Sequence, residues 1–225
     1  NLSIGRRSYP GGAGTQTAGL AFGGNPPPAR SATEEYDGSS WTNGGNLGTA
    51  TYLTQGAGTQ TAALAFGGLP SNPTSQEYNG TAWTNGGNMG TARYSIGGAG
   101  TQTAGLAFGG SGPGVLTEEY DGSSWTAGGN MNTSTSIAQG SAGTQTAGLS
   151  AGGGPAPARK NNTELYDGSS WSNDATLNTA RTFLSGAGTQ AAGLVFGGSI
   201  GNPSGSNITE EFSGPGTTTK TITTS

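Results

Sequence analysis

One stretch of this chain, Gly12-Ala-Gly-Thr-Gln-Thr-Ala-Gly-Leu-Ala-Phe-Gly-Gly24, recurs five times with small changes over 225 residues. The intervals between copies, taken at the central glutamine, are 44, 42, 43 and 45 residues: Gln16, Gln60, Gln102, Gln145 and Gln190. A second phrase, Thr33-Glu-Glu-Tyr-Asp-Gly-Ser-Ser-Trp41, follows the first copy and returns in varied form after the others. Self-similarity at a fixed period of this length is typical of repeat architectures, in which each unit is one supersecondary element.

Each unit contains four short segments with the character of β-strands. The clearest is the second, in which Leu20 and Phe22 fall on one face at period two before a Gly-Gly pair ends the strand. The first is small and glycine-rich, the third is Thr-Glu-Glu-Tyr, and the fourth begins at the tryptophan. Asp-Gly-Ser-Ser is a tight-turn sequence, and Thr-Gln-Thr is predicted to turn the first strand into the second, with its side chains bonding backbone. No segment combines a helical period with helix caps, so we predict almost no helix.

A repeat of about 40 to 50 residues that holds four strands is a propeller blade. We therefore predict an all-β, five-bladed β-propeller with four antiparallel strands per blade, forming one domain over residues 1–225. Residues 1–7 are expected to close the ring against the C-terminal tail. The approximate blades are 8–46, 52–88, 94–130, 136–176 and 182–225. A β-solenoid is a weaker alternative because the two halves of a unit do not resemble each other, and aromatic residues at fixed places oppose low-complexity disorder.

The phrases resemble the kelch repeat, whose pattern is an apolar strand ending in Gly-Gly, then a Tyr, a Trp, a Met and an Arg. In one unit the matching residues are Gly67-Gly68, Tyr78, Trp83, Met89 and Arg93. The resemblance covers essentially the whole chain and implies a propeller. Kelch propellers serve many unrelated roles, so it implies no particular function.

Near-identical units rich in Gly, Thr and Asn are also similar to those of marine bacteriophage virion and tail-associated proteins. This resemblance implies an extracellular or virion component that recognises a cell-surface glycan or protein and contacts neighbouring virion proteins. One alternative is a secreted or surface carbohydrate-binding propeller. Another is a glycosidase that uses only carboxylates, which would need two carboxyl groups about 5 to 9.5 Å apart; Asp174 is the only acid outside the regular motifs.

The composition excludes most catalytic chemistry. The chain has no cysteine and no histidine, so it has no thiolate metal site, no cysteine nucleophile and no histidine base. We therefore predict a protein that is not an enzyme and holds no metal or cofactor. Eight Lys and Arg with a net charge of −4 give no basic face for nucleic acid. No apolar run approaches the roughly 20 residues of a membrane span, so we predict no membrane insertion.

Residues that repeat at fixed positions are predicted to be structural, because catalysis needs only one site. The acidic position of the third strand is occupied by Glu34, Glu118, Glu164 and Glu210, with Gln76 in the second unit. Arginines stand in the closing phrases at Arg6, Arg93 and Arg181, with Thr51 and Thr135 in the other two. We predict buried Arg–Glu pairs between adjacent blades. The tryptophans Trp41, Trp83, Trp125 and Trp171 are predicted to form blade-to-blade core, with carbohydrate stacking as the alternative.

Two units depart from the pattern. The fifth has Phe212 and Thr217 where the others have Tyr and Trp, and the fourth has Ala151 where the others have Phe. Ala151 removes the volume of a phenyl ring, so a bulky neighbour should fill the space or a cavity should remain. Leu165, which replaces a Glu, is the expected neighbour.

The loops between second and third strands do not repeat, and they are the candidate binding face. They are 25–32, 69–74, 111–116, 154–162 and 199–207. Up-and-down connectivity places them on one face with the Arg-bearing links, and variable loops on a constant scaffold are a common site of binding. Prolines in these loops lower the entropy lost on binding. The candidate ligand-binding residues are Arg30, Asn72, Arg159, Lys160 and Asn202, although the loops could also be unconstrained surface connections.

Overall fold

A computed structural model of the chain describes residues 1–6, 10–25, 28–70, 73–137, 139–155, 158–201, 205–214 and 220–222. These ranges contain twenty strands and no helix. The strands form five four-stranded sheets, and each sheet is ordered as its strands follow in sequence. The fold is therefore an all-β five-bladed propeller, as predicted.

The strands take their bounds as follows. The first blade comprises β1 (Gly11–Gly14), β2 (Gly19–Phe22), β3 (Thr33–Tyr36) and β4 (Trp41–Asn43). The second comprises β5 (Gln55–Gly58), β6 (Ala63–Phe66), β7 (Thr74–Tyr78) and β8 (Trp83–Asn88). The third comprises β9 (Gly97–Gly100), β10 (Gly105–Phe108), β11 (Thr117–Tyr120) and β12 (Trp125–Ala127). The fourth comprises β13 (Gly140–Thr144), β14 (Ala147–Ala151), β15 (Thr163–Tyr166) and β16 (Trp171–Asp174). The fifth comprises β17 (Ser185–Gly188), β18 (Gly193–Phe196), β19 (Thr209–Phe212) and β20 (Lys220–Ile222).

The chain divides into two compact parts, called unit 1 and unit 2, which are distinct from the five sequence repeats. Unit 1 comprises Asn1–Ser95, Gly100–Gly105 and Glu118–Thr126, and unit 2 comprises Ile96–Ala99, Leu106–Thr117 and Ala127–Ser225. The predicted blade boundaries and single domain stay predictions. So does closure of the ring by residues 1–7, because Arg7 and tail residues 215–219 and 223–225 lie outside the described ranges.

The second strand of each blade carries the apolar core, as the alternation predicts. In β2, Leu20 and Phe22 are buried at 3% and 0% exposure. In β18 the corresponding Leu194 and Phe196 are 37% and 40% exposed. The repeat pattern therefore predicts more burial than these two residues have, and in β18 the buried residue is Val195, at 2% exposure.

The turn between third and fourth strands is fixed by its aspartate. Asp37 Oδ1 accepts hydrogen bonds from the backbone N–H groups of Ser39 and Ser40 at 2.8 and 2.7 Å. Asp121 and Asp167 do the same, and in the second blade the amide oxygen of Asn79 replaces the carboxylate. Backbone and serine hydrogen bonds lower the pKa of all three aspartates, that of Asp167 to about 2.

The repeated glutamine joins neighbouring blades. Gln60 Nε2 donates to the carbonyl oxygens of Gly19 and Tyr36 in the preceding blade, at 3.0 and 2.7 Å. Gln102 and Gln190 make the equivalent pair of bonds to the blades before them. Sequence reasoning predicted bonds from this turn to backbone, but it did not foresee that the glutamine reaches the preceding blade.

The predicted arginine–glutamate pairs are present. The shortest nitrogen–oxygen distances are 3.0 Å for Arg6–Glu34, 2.9 Å for Arg93–Glu118 and 2.8 Å for Arg181–Glu210. Each arginine lies in the link before a blade, and each glutamate lies on the third strand of that blade. The guanidinium of Arg181 also donates to the carbonyl oxygens of Gly197 and Ile208. Buried charges need such partners because their desolvation is costly.

Two links lack the arginine, and their glutamate positions differ. Thr51 faces Gln76, whose Oε1 accepts a hydrogen bond from the Gly48 N–H at 2.7 Å. A cavity with room for about one water molecule lies beside Thr51 and Gln76. Thr135 precedes the fourth blade, where Glu164 is 2% exposed and accepts the Asn132 and Thr133 N–H groups at 2.8 Å each. At these two links, backbone N–H groups therefore satisfy the third-strand residue in place of an arginine.

Two tyrosine–glutamate hydrogen bonds, which the sequence did not predict, each cross one blade-to-blade interface in unit 1. The Tyr78 hydroxyl donates to Glu35, and the Tyr120 hydroxyl donates to Glu77 at 2.6 Å. Burial, and after it the hydrogen bond to glutamate, raises the pKa of both tyrosines to about 12. In unit 2, Leu165 holds the glutamate's place and clusters with Phe212, which holds the tyrosine's place. An apolar pair thus replaces a polar pair.

The expectation that Leu165 fills the space beside Ala151 is wrong. Leu165 is buried, but it clusters with Leu149 and Phe212. Ala151 belongs to a different cluster, with Leu177, Leu184 and Val195. The reason is register: β15 pairs Leu165 with Leu149 and Thr163 with Ala151.

Replacing Arg181 by Thr should lower the free energy of unfolding by about 3 kcal/mol, because Glu210 stays buried without its cation. The double variant Arg181→Thr/Glu210→Gln recreates the Thr51–Gln76 combination and should recover part of that loss. Equilibrium unfolding in urea measures both. A double variant no more stable than the single one would contradict the argument.

A double-mutant cycle tests the apolar pair. Leu165→Glu should cost about 2 to 3 kcal/mol by burying a carboxylate against a phenyl ring. Adding Phe212→Tyr supplies the hydroxyl that Glu35 receives from Tyr78, so the two changes together should couple favourably by about 1 kcal/mol or more. Additive effects in thermal or urea unfolding would show that the two side chains do not interact.

The aspartate turns predict acid sensitivity. A carboxyl whose pKa is lowered by folding adds stability above its unfolded pKa, and this is lost as the pH falls through the folded value. Stability should therefore decline from about pH 4 toward pH 2. The triple change Asp37→Asn, Asp121→Asn and Asp167→Asn keeps the turn, as Asn79 does, and should make the decline shallower. An unchanged slope in urea unfolding at several pH values would refute this.

Candidate binding face

Each candidate loop begins at the Gly-Gly pair that ends a second strand. Gly23 and Gly24 have φ values of 66° and 97°, the left-handed region that favours glycine. A Cβ on Gly23 would lie 2.7 Å from the Thr51 carbonyl oxygen. The Gly24 N–H donates to that same oxygen at 2.8 Å. The Gly-Gly pair thus ends the strand and fastens the loop to the link that follows the blade.

The links hold neighbouring loops on one edge of each unit. In unit 1, antiparallel bridges join Arg30 to Thr51 and Tyr52 to Leu69, so one link touches the loops of the first and second blades. In unit 2, Lys160 pairs with Arg181 and Thr182 with Ser199, which joins the fourth and fifth loops in the same way. For these pairs of blades, the loops and the links lie together as predicted.

Three links contain a residue in a left-handed conformation. Leu53, Ser95 and Phe183 have φ values of 54°, 53° and 59°, and each stands two residues before the first strand of the next blade. Such a conformation costs a side-chain-bearing residue of order 1 kcal/mol or more. Phe183 is 37% exposed, so this backbone geometry leaves an aromatic ring on the loop edge of unit 2.

Arg30 and Arg159 occupy equivalent places in two Pro-rich loops, and both are half-buried. The Nε of each is buried without a hydrogen-bond partner among the described residues. In unit 2, a Cβ on Gly201 would lie 3.3 to 3.5 Å from the Nη and Cζ atoms of Arg159. The glycine at 201 therefore lets the fifth loop lie directly against the Arg159 guanidinium.

The other candidate residues divide into two groups. Lys160 Nζ donates to the Ser134 carbonyl oxygen, so its ammonium group helps to hold the link before the fourth blade. Asn72 and Asn202 lie outside the described residues. The structure thus places Arg159 and Lys160 in neighbouring positions of unit 2 and Arg30 in unit 1.

Sequence reasoning missed two apolar residues on the loop edge of unit 2. Phe183 follows the Thr182–Ser199 bridge, and Ile200 follows Ser199; Ile200 is 41% exposed. Gly201 lies against the Arg159 guanidinium, so all three side chains belong to the loop edge of unit 2. We call Arg159, Phe183 and Ile200 the unit 2 patch. A search of the variable loops for large apolar residues would have found Ile200, whereas Phe183 is apparent only from its left-handed link.

Other kinds of site are missing from the part of the chain that the structure describes. No group of three or more Asp or Glu side chains is placed to hold a metal ion. No described segment forms a helix that is long and apolar enough to cross a membrane.

Comparison with known proteins gives no family. The chain matches no protein-family model, and no curated protein is significantly similar to it.

Proposed function

We propose that this protein is a non-catalytic binding module that acts outside the cell or in a virion. It recognises a cell-surface glycan or protein through its loop face, and in a virion it contacts neighbouring structural proteins. The observation that carries the proposal is the unit 2 patch, where an exposed aromatic ring and an exposed isoleucine share one loop edge with a half-buried guanidinium. The resemblance of the repeats to marine bacteriophage tail-associated proteins favours the virion setting.

The chemistry of the patch suits an acidic sugar. A guanidinium binds a carboxylate through two parallel hydrogen bonds, and an exposed ring offers an apolar face to the C–H side of a pyranose. The patch rests on backbone that bridges and buried pairs hold in place, so little entropy is lost on binding. A carboxylate-bearing surface glycan is therefore the first ligand class to test.

A non-catalytic role also accounts for the acids. Glu34, Glu118 and Glu210 are each paired with an arginine, and Glu164 accepts backbone N–H groups. The aspartates of three turns bind their own backbone. Acids engaged in this way are poor candidates for the two-carboxylate chemistry of a glycosidase.

A glycan array with the intact protein tests the proposal, and the repeat supplies matched controls. Phe183→Ala and Arg159→Ala should each weaken binding about tenfold or more, as expected for central contacts. Leu53→Ala and Arg30→Ala remove the equivalent side chains of unit 1 and should leave binding unchanged. Equal effects in both units, or unchanged specificity after all five loops are exchanged, would overturn the proposal.

A further inference from the structure

Three blade-to-blade interfaces hold an indole ring in the same way. Trp83, Trp125 and Trp171 each donate their Nε1–H to a hydroxyl on the third strand of the preceding blade, at 2.9, 2.6 and 2.9 Å. The accepting residues are Thr33, Ser75 and Thr117. Each indole also lies 4.8 to 5.2 Å, centroid to centroid, from a phenylalanine of the preceding blade. A tyrosine of its own blade lies 4.9 to 5.0 Å away on another side.

The interface between the fourth and fifth blades has no indole. β19 and β20 pair Glu211 with Lys220, whereas β3 and β4 pair Glu35 with Thr42, the residue after Trp41. Thr217, which the sequence analysis places at the tryptophan position, lies outside the described residues. Residues 215–219 lie outside the described ranges, and their side chains are only proline, glycine and threonine. Ala151 replaces the phenylalanine as well.

A cleft lies where the indole would be. It contains about 190 Å³ of space free of atoms, partly open to solvent, and its walls are Leu149, Ala151, Thr163, Leu177, Val195, Glu210 and Phe212. Leu149, Thr163 and Phe212 correspond to Leu106, Thr117 and Tyr166, which stand around the place of Trp171. In this state the cleft is too narrow for a water molecule, so a ring enters only as Leu177 and Val195 move apart.

The hydroxyl that accepts the indole N–H elsewhere has no partner here. Thr163 is 2% exposed, and its Oγ1 is buried without a hydrogen bond among the described residues. Thr163 lines the cleft, whereas Thr117 and Thr33 at the same position are engaged. An unsatisfied buried hydroxyl is costly, so a ligand that offers an N–H at this point gains a hydrogen bond that water does not supply.

We propose that this cleft binds a free indole-ring compound. Phe212 provides the aromatic face that Tyr166 provides for Trp171, the Ala151 methyl replaces a phenyl ring and leaves room, and Thr163 Oγ1 accepts the ring N–H. The class of ligand is a planar bicyclic aromatic with one N–H donor and no charge, because the walls other than Glu210 are apolar or neutral. Glu210 is paired with Arg181.

A titration of the intact protein with indole tests the proposal. The alanine and threonine methyl groups are monitored by NMR at each indole concentration. Saturable shifts should centre on Ala151 and Thr163. Indene has the same shape without the N–H and should bind roughly three- to tenfold more weakly, the value of one neutral hydrogen bond. In Thr163→Val the two compounds should bind equally.

Thr117→Val, at an interface already filled by Trp171, should leave the indole-to-indene ratio unchanged. Absence of saturable shifts up to the solubility limit of indole would overturn the proposal. Equal affinity of indole and indene for the unaltered protein would overturn it as well.

Discussion

The buried polar residue on the third strand of each blade must be satisfied by the link that precedes that blade. A four-stranded sheet of three- to six-residue strands is too small to bury such a group by itself, as is general for single repeats. Glu34, Glu118 and Glu210 receive an arginine and backbone N–H groups, whereas Gln76 and Glu164 receive backbone N–H groups. Each link therefore binds the blade that follows it through this buried polar residue, in addition to the apolar contacts between blades.

The glycine content follows from the same close fit. The chain has 46 glycines, and the first strands show why two of them are needed. A Cβ on Gly56 would lie 2.3 Å from the Gly12 carbonyl oxygen of the neighbouring first strand, and one on Gly186 would lie 2.5 Å from that of Ser141. A composition that suggests disorder in an isolated segment here allows backbone to meet backbone.

The sequence predicts the features that follow from the repeat period, and it misses the side-chain contacts that form only in the folded sheets. Offsets shorter than one sequence repeat predict the strand order, the turn at Asp37 and the partners of Arg93 and Arg181. The Tyr78–Glu35 bond does not, because it joins side chains 43 residues apart that meet only when two sheets are stacked. The expectation for Leu165 fails for a different reason, because the register of β14 and β15 sets it opposite Leu149 rather than Ala151. The exposure of Phe183 depends on a left-handed backbone, for which the sequence offers no turn residue.

Nearly identical units carry a risk of their own, because a folding chain could stack its sheets in the wrong sequence. The polar and apolar pairs oppose this. A sheet bearing Phe212 in the place of the second sheet would leave the half-buried Glu35 without a hydroxyl donor, and one bearing Tyr78 in the place of the fifth would set its hydroxyl against Leu165. A polar group that is left buried and unsatisfied costs about 1 to 3 kcal/mol. The few positions at which the copies differ therefore favour the pairing of the fifth sheet with the fourth.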